Sequence, residues 1–578
     1  MPRLACLALW AVLFLWLGRA EAVPHGLFNR PEDDWRVLET RYFRIYYTSE
    51  TPSSAARLAE IADATFERLN AFYGYVPPDK IGVTLVGYTG FSNGFAEFGR
   101  NRITLYTTPA NFHVRNRSPW LENVFTHELS HVLTLNIASP FPGRIPLVLG
   151  TGAIRSSESE AVLRVPLYTG NYPHWFSEGV AQFDTEQTGG DRFDENREAF
   201  ERAALEDGLY YSLDRLAFFG DERWYNTGFG FLRYLERRFG KGTVHRIFRD
   251  AGQHFDLVFS SLFERTLGIP LAELERDFRA DIEHRFTAHQ RAVEGGRYDG
   301  VRVELPDEDP RFETLTSLER ERLAKGYTSR VVRSEGDRVY YRQGELLHRA
   351  RFVPGPEPRL EDDEVLGEGY ALSPHTKSSF FVLRQEGHAP SLLPSWYRPE
   401  FESPSLFLLD SDGNERRLLA DSRLLDIDVC PARRELAAVY NDGDGSLRLA
   451  LYPLLGFGTK NVRIDLRGRS FPLPPQAFDE VRSPRYGPDC SKLFFSRRIG
   501  DDHDVYAWDF RTERAEPFVN EEAFELYPEP ARDGVYFASA RDGTLSVYFR
   551  SYAGGALRRV TRALTSHHYP VRAAGGVF

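Results

Sequence analysis

The chain has 578 residues, 42% of them hydrophobic and 27% charged, and at one to two hundred residues per domain it is long enough for two to four domains. A net charge of -11 and the lack of any long Lys/Arg run exclude a surface that coats nucleic acid. The 47 Gly and 35 Pro are scattered along the chain, which excludes collagen-like and low-complexity sequence.

The first residues, MPRLACLALWAVLFLWLGRAEA, place Arg3 ahead of an apolar run from Leu4 to Leu17 and end in Ala20-Glu21-Ala22, an A-x-A cleavage site. This predicts a secretory signal peptide over residues 1–22, because the apolar run falls short of the roughly 20 residues a spanning helix needs. No later segment is apolar enough to span. The mature chain is therefore expected to lack a transmembrane segment and to be periplasmic, outer-envelope associated or secreted. Cys6 leaves with the signal, and whether the remaining Cys430 and Cys490 pair is left open by their sequence positions.

From Trp35 to Tyr106 the chain reads as strand, helix, strand, turn and strand. Tyr42–Tyr47 is rich in aromatics and Ile, and Ala55–Phe72 sets Leu58, Ala62, Phe66 and Leu69 on one helical face. Ile81–Val86 and Arg102–Tyr106 are strands flanking a Gly-rich turn from Gly90 to Gly99. Ser118 as N-cap and Pro119 at the first position predict a helix through Trp120, Val124, Leu129 and Leu133. A further helix starts near Pro173, and helical sequence continues to about Phe286. This is an α+β domain.

After about Gly296 helical periodicity gives way to short β-rich runs separated by Gly, Asp, Pro and Ser, which divides the mature chain into residues 23–296 and 297–578. A repeat is visible there. Val481–Cys490, leading into Leu493-Phe494-Phe495, has weaker relatives at Ala371–Pro374 and Asp428–Pro431, with Pro374, Pro431 and Pro488 spaced 57 residues apart. Tyr527–Phe537 recurs at Tyr569–Phe578, and Arg333–Tyr341 heads the series. Periods of about 40 to 55 residues with several strands each indicate propeller blades. The six markers give about six blades, the last stopping after its second strand at Phe578. The run Pro484-Arg485-Tyr486-Gly487-Pro488-Asp489 followed by an apolar strand resembles the blade motif of TolB-type propellers.

The chemistry concentrates in His127-Glu128-Leu129-Ser130-His131. Histidines four apart on a helix lie one above the other, so both imidazoles can bind one Zn²⁺ while Glu128 reaches a water on the open position. A catalytic zinc needs a third protein ligand. Downstream stands His174-Trp175-Phe176-Ser177-Glu178-Gly179-Val180-Ala181, and here the sequence resembles the gluzincin metallopeptidases of the peptidase MA-like branch, in which an E-G-x-A segment supplies a glutamate ligand. The resemblance covers about residues 30 to 285. It implies a zincin-like fold, one Zn²⁺ per chain held by His127, His131 and Glu178, and Glu128 as general base. His113 and His174 are the alternative third ligands. Tyr225 looks like the tyrosine that related enzymes aim at the oxyanion, with Tyr210 and Tyr211 as competitors.

Two departures stand out. Where thermolysin-type enzymes have an aspartate four residues after the glutamate ligand, this chain has Gln182, which leaves Asp184, Glu186 or a distant group to orient a ligand histidine. No G-x-M-E-N element is present; Asn93–Phe98 occupies that region, and exopeptidase activity is unsupported. The expected function is a zinc peptidase acting on a peptide or protein substrate, with a propeller that binds substrate or a protein partner. A non-catalytic envelope scaffold with a metallopeptidase-like domain is the alternative, and a zinc hydrolase acting on a non-peptide bond is a third reading.

Overall fold

The computed structural model describes residues 33–577 apart from 91, 98–100, 111–117, 138–147, 157–158, 167–171, 207–211, 217–221, 255–257, 295–302, 304–328, 344–345, 385–403, 411–412, 475, 563–565 and 574–575. The proposed signal peptide, the boundary at Gly296, and His113, Tyr210 and Tyr211 lie outside the described residues.

The N-terminal region opens with a five-stranded sheet in the order β1-β2-β3-β5-β4. Strand β1 (Arg36–Glu39) runs antiparallel to β2 (Phe43–Tyr47), which is parallel to β3 (Ile81–Val86) and, through it, to β5 (Arg102–Tyr106). The parallel β2–β3 pair requires a crossover, and α1 (Pro52–Tyr73) supplies it. Pro52 starts that helix, and Gly74, at φ +68°, ends it by donating its N–H to Asn70 O. Its buried face of Ala55, Leu58, Ala62, Phe66 and Leu69 covers the sheet.

The Gly90–Gly99 segment, expected to be a turn, contains a fourth strand. Strand β4 (Gly94–Glu97) pairs antiparallel with β5 and forms the sheet edge. Four residues beginning with Gly carry too little alternation to announce a strand; β5 imposes the pairing. Helix α2 (Trp120–Ile137) packs beside β4 and β5, tied by a bond from Trp120 Nε1 to Tyr106 O (2.8 Å). A hairpin of β6 (Val148–Ser156) and β7 (Ser159–Pro166) precedes α3 (His174–Gln187). Then follow α4 (Glu195–Glu206), α5 (Glu222–Phe239), α6 (Thr243–Ala251), α7 (Ser261–Leu267) and α8 (Leu271–Glu294). One hydrophobic core unites the sheet with α1, α2, α3, α5, α6, α7 and α8.

The C-terminal region is a propeller of five four-stranded meanders. They run β8 (Ser329–Glu335) to β11 (Arg359–Glu368), β12 (Ala371–Thr376) to β15 (Glu415–Leu419), and β16 (Leu424–Cys430), β17 (Glu435–Asn441) and β18 (Leu447–Leu455) to β19 (Arg463–Ile464). The fourth and fifth are β20 (Val481–Tyr486) to β23 (Arg514–Val519) and β24 (Glu525–Pro530) to β27 (Arg558–Arg559). Among the described residues the count of six is corrected to five full blades: the sixth marker heads only the two-stranded sheet of β28 (Arg572–Ala573) and β29 (Gly576–Val577), with β28 against β8.

The marker prolines also need a correction. Pro374 lies within β12, whereas Pro431 and Pro488 follow β16 and β20, so their even spacing does not mark equivalent sites. The equivalents are Ser373-Pro374, Ser483-Pro484 and Tyr527-Pro528 in the first strands of their blades: the last two lie inside a register shift, and the first stands just before one. A proline has no N–H to give the ladder, and a bulge is where a strand tolerates one. Cys430 and Cys490 form a disulfide that joins the third blade to the fourth. With the cysteines 60 positions apart, loop closure in the unfolded chain gives a stabilisation of about 4 kcal/mol.

A buried acid sets a pH dependence for the propeller. Glu525 is fully buried. Burial pushes it up to about 8; Ser539 Oγ opposes this with a 3.2 Å bond, and the Asp502 and Asp504 charges add to the rise. The folded state therefore holds a proton that the unfolded chain releases near pH 4.3. The stability that Glu525 contributes is therefore fully present below that pH and is lost as pH rises toward 8. Glu525→Gln should leave the melting temperature unchanged at pH 4 and raise it at pH 8, and a melting series of both proteins against pH checks this.

Candidate metal centre

Helix α2 is buried on nearly every side, from Asn123 through Thr134 without a break. Such a helix is a core element and not a solvated face. His127 and His131 are 6% and 7% exposed, and their rings stand one turn apart with Nε2 atoms separated by 3.2 Å. Glu178, in the first turns of α3, reaches between them. Its Oε2 lies 3.0 Å from His127 Nε2 and 3.3 Å from His131 Nε2. One ligand atom from each of the three residues falls within 4.8 Å of the other two, a grouping able to hold a metal ion. His174 stacks on Trp224 instead, with ring centroids 4.7 Å apart, and takes no part in this cluster.

The charges converge on the same point. Burial alone would raise the Glu178 carboxylate, but the two imidazoles hold it well below the usual range. Burial likewise disfavours a charged His131, and the Glu178 charge overrides this and pushes His131 up to about 9. The carboxylate stays ionised, and both rings aim a nitrogen at it.

Gln182 itself contacts His127: its Nε2 lies 3.2 Å from His127 Nδ1, and its Oε1 accepts from Arg197 Nη2 at 2.9 Å. A guanidinium only donates, so the amide turns its carbonyl to Arg197 and its NH₂ to the imidazole; a ring that offers Nε2 to a metal carries its proton on Nδ1 and needs an acceptor there, so Gln182 does not supply the outer partner that His127 would require as a ligand. Arg197 is fully buried and paired with Asp191. The other two candidates serve elsewhere. The buried Asp184 carboxylate accepts from Ser130 Oγ, from Tyr73 Oη at 2.7 Å and from His245 Nε2 at 3.1 Å, joining α1, α2, α3 and α6. Glu186 pairs with Arg233 at 3.2 Å. His131 Nδ1 is buried with no hydrogen-bond partner among the described residues.

Three glycines make the geometry possible. Glu128, 5% exposed, packs against the start of β4, where a Cβ on Gly94 would lie 2.7 Å from its Cγ and its Oε1. Where α3 crosses α5, a Cβ on Gly179 would lie 2.5 Å from Gly228 C, and one on Gly228 would lie 1.9 Å from Trp175 O. That close crossing brings the half-buried Tyr225 to a ring-centroid distance of 5.9 Å from His127. The Gly of the E-G-x-A element is thus explained by backbone contact with Gly228. Gly94, Gly228 and Arg197 were absent from the sequence expectations; the Gly-Phe-Gly run at 228–230 was the local sign of the crossing.

No family model and no curated protein matches the chain. Among solved structures, TolB from Acinetobacter baumannii is 18% identical over 30% of this chain and 41% of its own, with a TM-score of 0.24. A putative TolB from Agrobacterium tumefaciens is 14% identical over 39% and 76%, TM-score 0.28. A puromycin hydrolase is 11% identical over 43% and 40%, TM-score 0.30. This chain spans less than half the length of the Acinetobacter protein and of the hydrolase. The propeller assignment stands on the strand order described above.

Proposed function

We propose that the chain is an exported zinc-dependent peptidase, with residues 23–296 as a gluzincin-like catalytic domain and residues 297–578 as a TolB-like propeller that binds substrate or a protein partner. The observation that carries this reading is the convergence of His127, His131 and Glu178 within 4.8 Å beside a second buried carboxylate, Glu128. Two imidazoles and one carboxylate are a donor set that suits one Zn²⁺ with a position left for water. When bound, the metal polarises the scissile carbonyl and acidifies that water.

The chain's own groups do the rest. Glu128 accepts the proton of the attacking water and delivers it to the leaving amine. Strand β4 ends the sheet and abuts Glu128 through Gly94, so its outer edge can pair with an extended peptide as an added strand. Tyr225 donates its phenol to the developing oxyanion. Tyr225→Phe is then expected to lower kcat on the order of 10²-fold with little change in KM; steady-state kinetics giving wild-type kcat would reduce Tyr225 to a packing role.

Export is supported by the Cys430–Cys490 bridge, which an oxidising compartment favours. No described helix is long and apolar enough to cross a membrane. The test is metal dependence. Hydrolysis of an unstructured polypeptide should cease on chelation and return with added zinc, whereas a protein that binds its partner equally well before and after chelation and cleaves nothing would be the scaffold.

A further inference from the structure

Building on the peptidase reading above, we propose that the propeller loop 441–446, between β17 and β18, is a positioning device for the substrate-pairing edge: it clamps Gly87 and Thr89 and so holds β4 against Glu128. The loop is shaped before it meets anything else. Asp442 Oδ1 accepts from the N–H of Asp444 (2.9 Å) and Ser446 (3.0 Å), Asn441 Oδ1 accepts from Gly443 N (3.0 Å), and Gly443 and Gly445 take φ of +84° and +89°. A chain of this composition, Asn-Asp-Gly-Asp-Gly, makes that tight turn at little conformational cost.

Three polar groups of the turn then land on the N-terminal domain, while Asp442 and Ser446 also bond Arg423, Arg448 and Phe478 of the propeller. Asn441 Nδ2 donates to Thr108 Oγ1 (2.7 Å) and Thr89 O (3.2 Å), and Gly443 O accepts from Thr107 Oγ1 (2.6 Å). The Asp444 carboxylate accepts from Ser53 N and Ser54 N, each at 2.8 Å. It thereby caps α1 from the other domain, where the helix's own N-cap, Thr51, makes no side-chain capping bond. The backbones meet closely at Gly87, where a Cβ would lie 2.3 Å from Gly443 O. The contact is buried: Asn441, Thr89, Thr107 and Thr108 are each at most 3% exposed.

The gripped segment leads straight to the proposed chemistry. Thr108 Oγ1 also donates to Thr89 O (2.7 Å), Ser92 Oγ to Pro109 O (3.0 Å) and Tyr106 N to Asn93 O (3.0 Å). The next residue is Gly94, which packs on Glu128. A buried bonded network of this kind has one low-energy arrangement, and a shift at one end moves the other. Misplacing reacting groups by about 1 Å costs on the order of 10²-fold in rate, so a loop on the propeller can set turnover without touching substrate.

The experiment uses the full chain with Asn441→Ala plus Asp444→Ala, and separately Asp444→Asn, which keeps an acceptor for α1. Amide exchange by mass spectrometry, zinc content and peptide kinetics are read on each. The double variant should exchange about tenfold faster over 92–97 and lose about tenfold or more in kcat, with zinc content and exchange in β16–β18 unchanged; Asp444→Asn should recover most of the loss. Unchanged exchange over 92–97 in the double variant overturns the clamp, whatever the kinetics. If the wild-type chain hydrolyses no peptide, the peptidase reading falls while the exchange result alone decides the clamp.

Discussion

Glu128→Gln should lower peptide turnover by about 10³-fold, within the range general base catalysis contributes, while the protein still binds zinc and keeps its fold. The substitution keeps the length and shape of the side chain, which matters because Glu128 is buried and packs against Gly94. What it removes is the ability to take a proton. The ligand atoms of His127, His131 and Glu178 are not altered, so metal content should match wild type. Comparable turnover in variant and wild type would take Glu128 out of the mechanism. Loss of zinc in the variant would mean that Glu128 serves the metal and not the water.

The second large effect is on metal binding. His127→Ala with His131→Ala should abolish stoichiometric zinc, because it deletes two of the three converging ligand atoms. Glu178→Ala should retain the fold, since α3 is held by the packing of Trp175, Phe176 and Val180. It should still weaken zinc by more than the roughly 10- to 100-fold expected for loss of an outer partner. Replacing Gln182, which lies behind His127 outside the ligand set, supplies a reference for that comparison. Competition titration with a chromogenic chelator measures all three, and unchanged affinity in Glu178→Ala would move the third ligand elsewhere.

Legibility in the sequence followed the range of the contacts. The placing of His127 and His131 on one helix face is a local matter, and α2 appears where its capping residues predicted. The parallel core strands and α1 were readable for the same reason. Strand β4 was not, because its four residues become a strand only by pairing with β5. The role of Gln182 was hidden because Arg197, which sets the amide's orientation, comes from another helix. The blades are visible as repeats, but the even spacing of Pro374, Pro431 and Pro488 does not mark equivalent sites, since the first lies within a strand and the other two follow one. The fit of loop 441–446 onto Thr89 and Thr107 joins residues more than 300 positions apart, and no pattern in either segment announces the other.

The measurement that bears most directly on the central claim is X-ray absorption at the zinc edge on the purified wild-type chain, with metal quantified per polypeptide. One zinc per chain with two imidazole nitrogens at about 2.0–2.1 Å and carboxylate or water oxygens completing the shell is the predicted result. A chain that purifies and stays folded without zinc, and takes up none when it is supplied, would contradict it.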